Sequence, residues 1–337
     1  MSVLENSSTN RALVGASPSS GTAYVVAFIL MANANAVFSG RLLQSLHPFT
    51  FLFWGFFATS IVFMARLIFT TGAGALTIKR ADAGALFTLN AMTALSWIGY
   101  FIALRYIEPA IVTAIVCGFG PPSVIVLERV VRQQKLPSHT YVAVAGTLLG
   151  TAVLVWASMA GLSGIKTTNP YESLVGLIAA IVGGISQAMT VIATKQLGDK
   201  GWNSTRIMAH RFHLLIPIAA ILAISGPGLS VASFDQLIHL AIAMIFGVAL
   251  PLWLLQRGIL LSTPFAVSVL LSLGPVLTYL VQGFDDRIAW SVPSALGCLV
   301  VVLFTIYGTV VKSNSARACP VQERGTPCAR RPRATVP

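Results

Sequence analysis

The sequence predicts an all-α integral membrane protein with ten transmembrane helices, arranged as two inverted five-helix repeats with both termini in the cytoplasm. Two observations support this: ten apolar stretches are long enough to cross a bilayer, and basic residues are shared unequally between the loops. A hydrocarbon core of about 30 Å requires about 20 apolar residues per helix. The ten stretches are 22–43, 47–69, 82–104, 108–128, 139–161, 172–194, 205–226, 236–256, 262–282 and 291–311.

Short loops separate these stretches in order, and Pro, Gly, Asn and charged residues mark them. The clearest are His47-Pro48, Thr71-Gly72-Ala73-Gly74, Leu136-Pro137-Ser138, Asn169-Pro170, Gly226-Pro227-Gly228 and Asp285-Asp286-Arg287. These loops leave no room for a separate soluble catalytic domain.

The basic residues set the orientation. With the N-terminus inside, all of the 22 Lys and Arg residues fall on the cytoplasmic side except Arg41, Arg105, Lys166 and Arg287. A missed or extra span would move every later loop to the other side and destroy this asymmetry. The positive-inside rule therefore supports both the count of ten and the orientation.

Composition excludes several classes of protein. Hydrophobic residues make up 55% of the 337 positions and charged residues only 9%, against about 25% charged residues in a soluble domain. The net charge of +12 lies in short loops facing lipid headgroups, so we expect membrane lipids and not nucleic acid as partners. The four cysteines show no CxxC spacing, so we expect neither a metal site nor a disulfide.

The two termini differ from the helical part. Residues 1–21 are polar and lack a basic region leading into a short apolar segment, so we predict a cytoplasmic N-terminal segment followed by a retained first helix. Residues 312–337 are rich in Pro, Arg and Ala without periodicity, which predicts a basic disordered cytoplasmic tail. A solvated tail is the preferred interpretation, and binding to anionic lipid is the alternative.

The two halves, 22–161 and 172–311, are similar to each other. Residues 105–155 resemble 257–307, with Gly120-Pro121-Pro122 at a similar place to Gly274-Pro275 and Gly146 at a similar place to Gly297. Residues 47–60 align with 204–217, which places Trp54 opposite Arg211. Because each half has an odd number of spans, the halves enter the membrane in opposite orientations, as in inverted-repeat transporters.

At this level of detail the chain resembles the drug/metabolite transporter superfamily, in its ten-helix EamA-like branch. The resemblance covers about 22–311 and departs from the family at Gln134, where a Glu is usual, and at Trp54, where an Arg is frequent. It implies alternating-access export of a small metabolite or drug, usually across the bacterial cytoplasmic (inner) membrane. The segments that carry it are Ala103-Leu104-Arg105-Tyr106 through Thr113-Ala114, Gly120-Pro121-Pro122, Lys135-Leu136-Pro137, Gly146-Thr147-Leu148-Leu149-Gly150 and the second copy at 257–307.

Polar side chains recur on one face of several stretches. Such residues are costly in a membrane helix and usually face inward. We predict that they line a substrate cavity; interhelical hydrogen bonding is the alternative. The candidate lining residues are Asn35, Asn90, Trp97, Tyr100, Gln187, Thr190, His210, Arg211, Trp253, Ser272 and Tyr279.

The densest ionisable cluster is His210-Arg211-Phe212-His213 at the start of the seventh stretch. Arg offers a planar fork suited to carboxylate or phosphate, and His210 or His213 could carry a coupled proton. Because no Asp or Glu lies deep in any stretch, the cavity should prefer an anionic or zwitterionic small-molecule substrate. The alternative is that these basic side chains snorkel to the lipid interface.

Prolines recur at matching places in the fourth and ninth stretches. Pro121, Pro122 and Pro275 each remove a backbone hydrogen bond, which predicts interrupted helices that act as hinges. Gly146 and Gly150 permit close helix contact, for which packing within one chain is the preferred interpretation and a dimer contact the second. We therefore expect a monomer or a homodimer.

Catalytic motifs are absent from the sequence. It contains no His-Glu-x-x-His, no Gly-x-Ser-x-Gly and no phosphate-binding loop. We therefore predict a protein that is not an enzyme and needs no cofactor or metal. An intramembrane enzyme acting on a lipid-linked phosphate, or a channel, is the alternative.

Overall fold

The computed structural model describes residues 18–132, 138–165, 169–231, 233–261 and 270–318. All regular structure in these ranges is helical, which confirms the all-α part of the predicted fold. Short 3-10 helices cover Ala73–Leu76, Arg80–Asp82 and Gln282–Phe284, and a π-helix covers Ile245–Ala249. The α-helices are α1 (Pro18–Leu42), α2 (Pro48–Thr71), α3 (Ala83–Tyr106), α4 (Pro109–Arg132), α5 (Ser138–Met159), α6 (Pro170–Asp199), α7 (Ser204–His210), α8 (Leu215–Ile224), α9 (Phe234–Met244), α10 (Leu250–Leu261), α11 (Gly274–Val281) and α12 (Val292–Ala318).

Seven helical segments of the described ranges are long and apolar enough to cross a membrane, so the chain is a multi-pass membrane protein. Two shorter apolar helices, Pro109–Phe119 and Val292–Gly308, match the fourth and tenth predicted spans. Part of the ninth predicted span, and parts of both predicted terminal segments, lie outside the described residues. The count of ten and the orientation remain predictions. The seven segments are Gly21–Leu42, Pro48–Thr71, Arg80–Tyr106, Thr140–Met159, Pro170–Asp199, Ser204–Ile224 and Phe234–Leu255.

Polar caps explain where several helices begin. The backbone N–H of Tyr171 donates to Asn169 Oδ1 at 3.0 Å at the start of α6, and that of Arg206 donates to Asn203 Oδ1 at 2.8 Å at the start of α7. Ser233 accepts in the same way at the start of α9. These contacts satisfy backbone donors that have no partner within the helix.

Two of the predicted spans are not continuous α-helices. The seventh consists of α7 and α8 joined by a turn at residues 211–214, and the eighth contains the π-helix between α9 and α10. A proline follows each irregularity: Pro217 is the third residue of α8, and Pro251 is the second residue of α10. Because proline lacks an N–H and its ring clashes with the carbonyl group four residues earlier, each proline disfavours a regular helix at the preceding turn.

The expected interruption at Pro121 and Pro122 is absent, since α4 runs through both residues. In contrast, α11 begins at Gly274 with Pro275 in its first turn, where the missing N–H costs little.

Glycines bring two pairs of helices into close contact. A Cβ on Gly99 of α3 would lie 2.5 Å from the carbonyl oxygen of Ala179 on α6, so no larger residue fits without movement. On α5, Gly146 lies against the ring of Phe304 and Gly150 against Val301 of α12. The Gly-xxx-Gly pair therefore packs inside the chain, as the preferred interpretation expected.

The packing pattern is compatible with two related halves. Helix α3 packs mainly on α6, while α10 packs on α1. Exchanging the halves converts the third span into the eighth and the sixth into the first, so these two contacts are equivalent. Large apolar side chains such as Phe69 and Phe284 are each 88% exposed, as expected for a surface that meets lipid.

Candidate functional site

The loops lie at two opposite ends of the helix bundle, because the long helices run from one end to the other. We call one the latch end, which comprises residues 40–50, 105–110, 160–165 and 282–294. We call the other the cavity end, which comprises residues 66–82 and 199–208 together with Trp253 and Arg257. At the latch end, hydrogen bonds connect the loops: Arg287 donates to Gly40 O at 3.2 Å, and Ser291 Oγ donates to Leu162 O at 2.5 Å.

A cavity of about 270 Å³ opens at the cavity end. Phe63 and Met208 form a buried floor, and Arg66, Asn203 and Arg257 form an exposed rim. The shape is therefore a cup that enters the bundle from one end. Its lining residues are Phe63, Arg66, Asn203, Ser204, Thr205, Met208, Trp253 and Arg257.

The chemistry of this cup favours anions. None of its lining residues is acidic, and two are arginines. The guanidinium of Arg257 lies 5.6 Å from the ring centroid of Trp253, and the edge of Tyr24 packs on that ring with centroids 6.1 Å apart. Neither Arg66 nor Arg257 forms an ion pair with another described residue. The cup thus offers cations, hydroxyl groups and aromatic surface together.

A second cavity of about 390 Å³ adjoins the first and shares Asn203. Its basic lining residues are Lys79 and Arg206. The guanidinium of Arg206 stacks 4.0 Å from the ring centroid of Trp202 and donates to Thr77 O at 2.7 Å. These bonds fix Arg206 in the wall between loop 72–82 and α7.

The turn between α7 and α8 collects several predicted site residues. Asn90 of α3 donates to His210 O at 2.8 Å and accepts from Leu214 N at 3.2 Å. Arg211 Nε donates to Thr93 Oγ1 at 3.1 Å. Arg211 therefore contacts α3 inside the bundle rather than extending along the helix end, which favours the inward-facing interpretation over snorkelling.

The two histidines of the turn form a pair. His210 Nδ1 and His213 Nε2 are 3.0 Å apart, so one nitrogen donates and the other accepts. His210 is 2% exposed and its Nε2 has no hydrogen-bond partner among the described residues, whereas His213 is exposed. The geometry permits a proton to be shared between a buried and an accessible imidazole.

The predicted aromatic residues Trp97 and Tyr100 pack in the interior instead of lining the cup. Trp97 stacks on Phe101 at 5.7 Å and contacts Phe56 at 4.9 Å, and Phe56 in turn contacts Phe212 at 4.9 Å. Trp97 Nε1 is buried without a partner among the described residues. This ring nitrogen is a polar atom that the present packing leaves unused.

Three further predicted residues, Gln187, Thr190 and Asn35, form hydrogen bonds between or within helices. Gln187 accepts from Ser96 Oγ at 2.9 Å across α6 and α3, while Thr190 bonds within its own helix. Asn35 accepts from Ser39 Oγ at 3.2 Å and lies against Gly247 of the π-helix. Of the three, Gln187 corresponds to the alternative of interhelical hydrogen bonding.

On the ninth predicted span, Ser272 is buried at 4% exposure, and Tyr279 binds backbone groups of the latch end. Tyr279 Oη donates to Ser291 O at 2.8 Å and accepts from Ser291 N at 3.2 Å. Asn33, which was not among the candidates, accepts from Thr278 Oγ1 at 2.6 Å and so joins α1 to α11.

Sequence reasoning thus named only one lining residue of the cup, Trp253. It missed Arg66 and Arg257, because basic residues at cytoplasmic helix ends are expected from topology alone. It also did not single out Glu108, which directly precedes α4 and is fully buried. The available signal was an acid directly before Pro109, the first residue of α4, where a carboxylate is favoured by the helix N-terminus.

One further acid at the latch end has a perturbed pKa. Burial alone would raise the pKa of Asp285, but its hydrogen bonds and charge interaction with Arg287 outweigh that effect and hold the pKa below its usual value. Arg287 Nη2 lies 2.5 Å from Asp285 Oδ2. Arg287 is thus paired with Asp285, and Glu108 has no ion-pair partner among the described residues.

Comparison with known proteins identifies a domain in the first half of the chain. The sequence model of the EamA-like transporter family matches residues 19–156, which is almost all of the first predicted repeat. This segment is therefore similar to the EamA-like domain of the drug/metabolite transporter superfamily, whose members are membrane transporters. No curated protein sequence matches the chain.

Solved structures share the fold. One protein crystal structure superimposes with a TM-score of 0.62 at 17% identity, over 89% of this chain and 99% of that chain. At this identity the likeness shows the fold alone.

Proposed function

We propose that the protein is a secondary active transporter of a small anionic or zwitterionic solute, such as an amino acid or a carboxylate. It would export this solute across the bacterial cytoplasmic membrane by alternating access, coupled to protons. The observation that supports this most directly is the cup at the cavity end, with Arg66 and Arg257 on its rim and no acid in its lining. A substrate carboxylate can accept bidentate, charge-assisted hydrogen bonds from either guanidinium.

The contrast between the two ends supports alternating access. A cup open at one end and loops bonded to one another at the other resemble one of the two states that such a cycle requires. The interrupted seventh and eighth spans support the same mechanism, because irregular backbone inside a membrane protein is tolerated where it lines a cavity or moves. The π-helix is a further feature frequent at functional sites.

Proton coupling would use the His210–His213 pair. These imidazoles lie 3.0 Å apart at the end of α7, the helix whose residues Ser204, Thr205 and Met208 line the cup, so protonation of the pair would add positive charge next to the helix that forms this wall. Loss of that proton would weaken anion binding and favour release. A channel would not need a cup closed at one end, and an enzyme would need acid–base or metal groups converging on a lipid substrate.

The test is saturable flux in proteoliposomes. Purified protein should exchange labelled amino acids or carboxylates faster than amines or neutral sugars, and a pH gradient should drive accumulation. Arg66→Gln or Arg257→Gln should raise KM about tenfold, since a charge-assisted hydrogen bond contributes about 1.5–3 kcal/mol. Arg80→Gln is the matched control, because Arg80 is an exposed arginine outside the cup at the same end.

The alternatives give different results in the same vesicles. Passive ion current without saturation would indicate a channel, and turnover of a lipid phosphate would indicate an enzyme. An unchanged KM for every anion in the Arg66→Gln/Arg257→Gln double variant would reject the cup as the anion site.

A further inference from the structure

Glu108 is a fully buried carboxylate whose partners, among the described residues, are neutral donors. It is 0% exposed and lies between α3 and α4. Oε2 accepts from Ser294 Oγ at 2.7 Å and from the backbone N–H of Gly164 at 2.7 Å, and Oε1 accepts from Gln282 Nε2. Both carboxylate oxygens thus accept hydrogen bonds, from three donors in all.

The same carboxylate connects four separate segments of the latch end. Ser294 is on α12, Gln282 begins the 3-10 helix after α11, Gly164 lies in the loop after α5, and Glu108 itself precedes α4. These segments come from both predicted repeats. Any movement that opens the latch end between the repeats must separate Glu108 from at least one of its donors.

Neighbouring bonds fix the donors in place. Gln282 Oε1 accepts from the backbone N–H of Ala110 at 3.2 Å, so its amide cannot turn over without losing that bond. Ala289 N donates to Gly164 O at 2.9 Å, and a Cβ on Gly164 would collide with the Ala289 carbonyl. The donors of Glu108 are therefore preorganised for an acceptor with no hydrogen of its own.

We propose that Glu108 is the latch residue of the transport cycle: the hydrogen bonds that its carboxyl group accepts keep this end closed, and its separation from Gln282, Ser294 and Gly164 opens it. This role rests on the proposed alternating-access function. Glu108 acts as a positioning residue, because it holds segments and does not contact the cup.

Replacing Glu108 by Gln keeps the shape but adds a donor. In one orientation the new NH2 group faces the NH2 group of Gln282, and in the other it faces the backbone N–H of Gly164. Two hydrogen-bond donors therefore oppose each other in either orientation. Gln282→Glu instead places two acceptors against each other. The double variant Glu108→Gln/Gln282→Glu restores every pair. The new carboxylate at position 282 accepts from Ala110 N and from the new amide at position 108, whose oxygen accepts from Ser294 and Gly164.

Native Cys298 reports whether this end is open. It is 1% exposed, one turn along α12 from Ser294, with its Sγ 3.7 Å from Ala110 O. The experiment uses the full chain with Cys117, Cys319 and Cys328 replaced by Ala. An impermeant methanethiosulfonate reagent is applied to right-side-out and to inverted vesicles, so that the labelled side is known.

We expect Glu108→Gln and Gln282→Glu each to label at least about tenfold faster than the parent, from one side of the membrane only, and the double variant to return to the parent rate. Glu172→Gln is the matched control, because Glu172 is an exposed acid in the first turn of α6 at the same end. Ser294→Ala, which keeps the charge and removes one donor, should give an intermediate rate.

Parent-like labelling of both single variants would overturn the proposal, as would equal labelling from both sides, which is the result expected of an unfolded chain. A double variant that labels as fast as the singles would also overturn it. Because labelling needs no substrate, failure of the transport proposal in proteoliposomes would leave this result unaffected, and the two can be judged separately.

Discussion

The side chain of Asn90 spans the interruption of the seventh helix by bonding both of its sides. Its Nδ2 donates to His210 O at 2.8 Å, and its Oδ1 accepts from Leu214 N at 3.2 Å. A helix that stops inside a membrane leaves backbone groups without partners, and lipid cannot supply them. Asn90 supplies one donor and one acceptor to that turn, and it thereby fixes the position of Arg211 and the two histidines.

Asn90→Ala should destabilise the protein and reduce transport. The variant leaves two buried backbone groups unpaired, and we expect a loss of about 1–3 kcal/mol in the free energy of unfolding. A thermal unfolding assay in detergent measures it. Thr88→Ala is the control, since Thr88 Oγ1 bonds Gly84 O within the same helix, at 3.0 Å. Equal melting temperatures for the two variants would contradict a role for Asn90 in holding the turn.

Substitutions at Arg211 should separate its charge from its shape. Arg211→Lys keeps the charge but loses the planar fork that contacts Thr93, and Arg211→Gln loses both. We expect flux of an anionic substrate to fall in the order wild type, Lys, Gln, with little loss of folded protein. Full transport by the Gln variant would assign Arg211 to helix packing alone.

The histidine pair predicts a pH response that substitution removes. If His210 or His213 carries the coupled proton, flux should depend on pH near neutrality, and replacing that residue by Gln should flatten the profile. His239 provides a control, because it lies 3.4 Å from Asp235 on the exposed surface of α9. An unchanged pH profile in both the His210→Gln and His213→Gln variants would exclude the pair as the coupling site.

The prolines of α4 remain a hinge prediction even though the helix runs through them. Pro121→Ala together with Pro122→Ala should restore backbone hydrogen bonds, raise the melting temperature and slow transport, since an interior proline costs a helix about 3 kcal/mol. Pro48→Ala is the control, because Pro48 begins α2, where no such bond is lost. Wild-type flux in the double variant would remove the hinge interpretation.

The orientation can be tested with the tail cysteines. Cys319 and Cys328 should be cytoplasmic, because they follow an even number of predicted spans. An impermeant thiol reagent should label them only after the membrane of intact cells is permeabilised. Labelling from outside would reject the ten-helix arrangement with both ends inside.

Features that depend on one local stretch could be predicted from the sequence. Helices such as α2 and α3 could be predicted because about 20 apolar residues suffice to identify a membrane helix. Loop residues such as Asn169 were expected because they cap the next helix whatever packs around it. Close helix packing at Gly146 could be expected from the small size of that residue, but its partner, Phe304 of α12, could not.

The site could be predicted only in part. A polar stripe looks the same whether it lines a cavity or bonds a neighbouring helix, so Gln187 and Trp97 could not be distinguished from lining residues before their partners were known. The cup was missed for a related reason. Arg66 and Arg257 belong to different helices, and each by itself is a basic residue of the kind that the positive-inside rule expects at a helix end.

The sequence by itself determined the class of the protein, because burial in lipid imposes a length and an apolar composition on every spanning segment. Tertiary structure alone decided which polar groups meet. Glu108 lies 174 residues from Gln282 and 186 from Ser294, and a hydrogen bond depends on separation in space and not along the chain. The role of a buried carboxyl group therefore depends on its hydrogen-bond partners, and only the folded arrangement of helices brings those partners together.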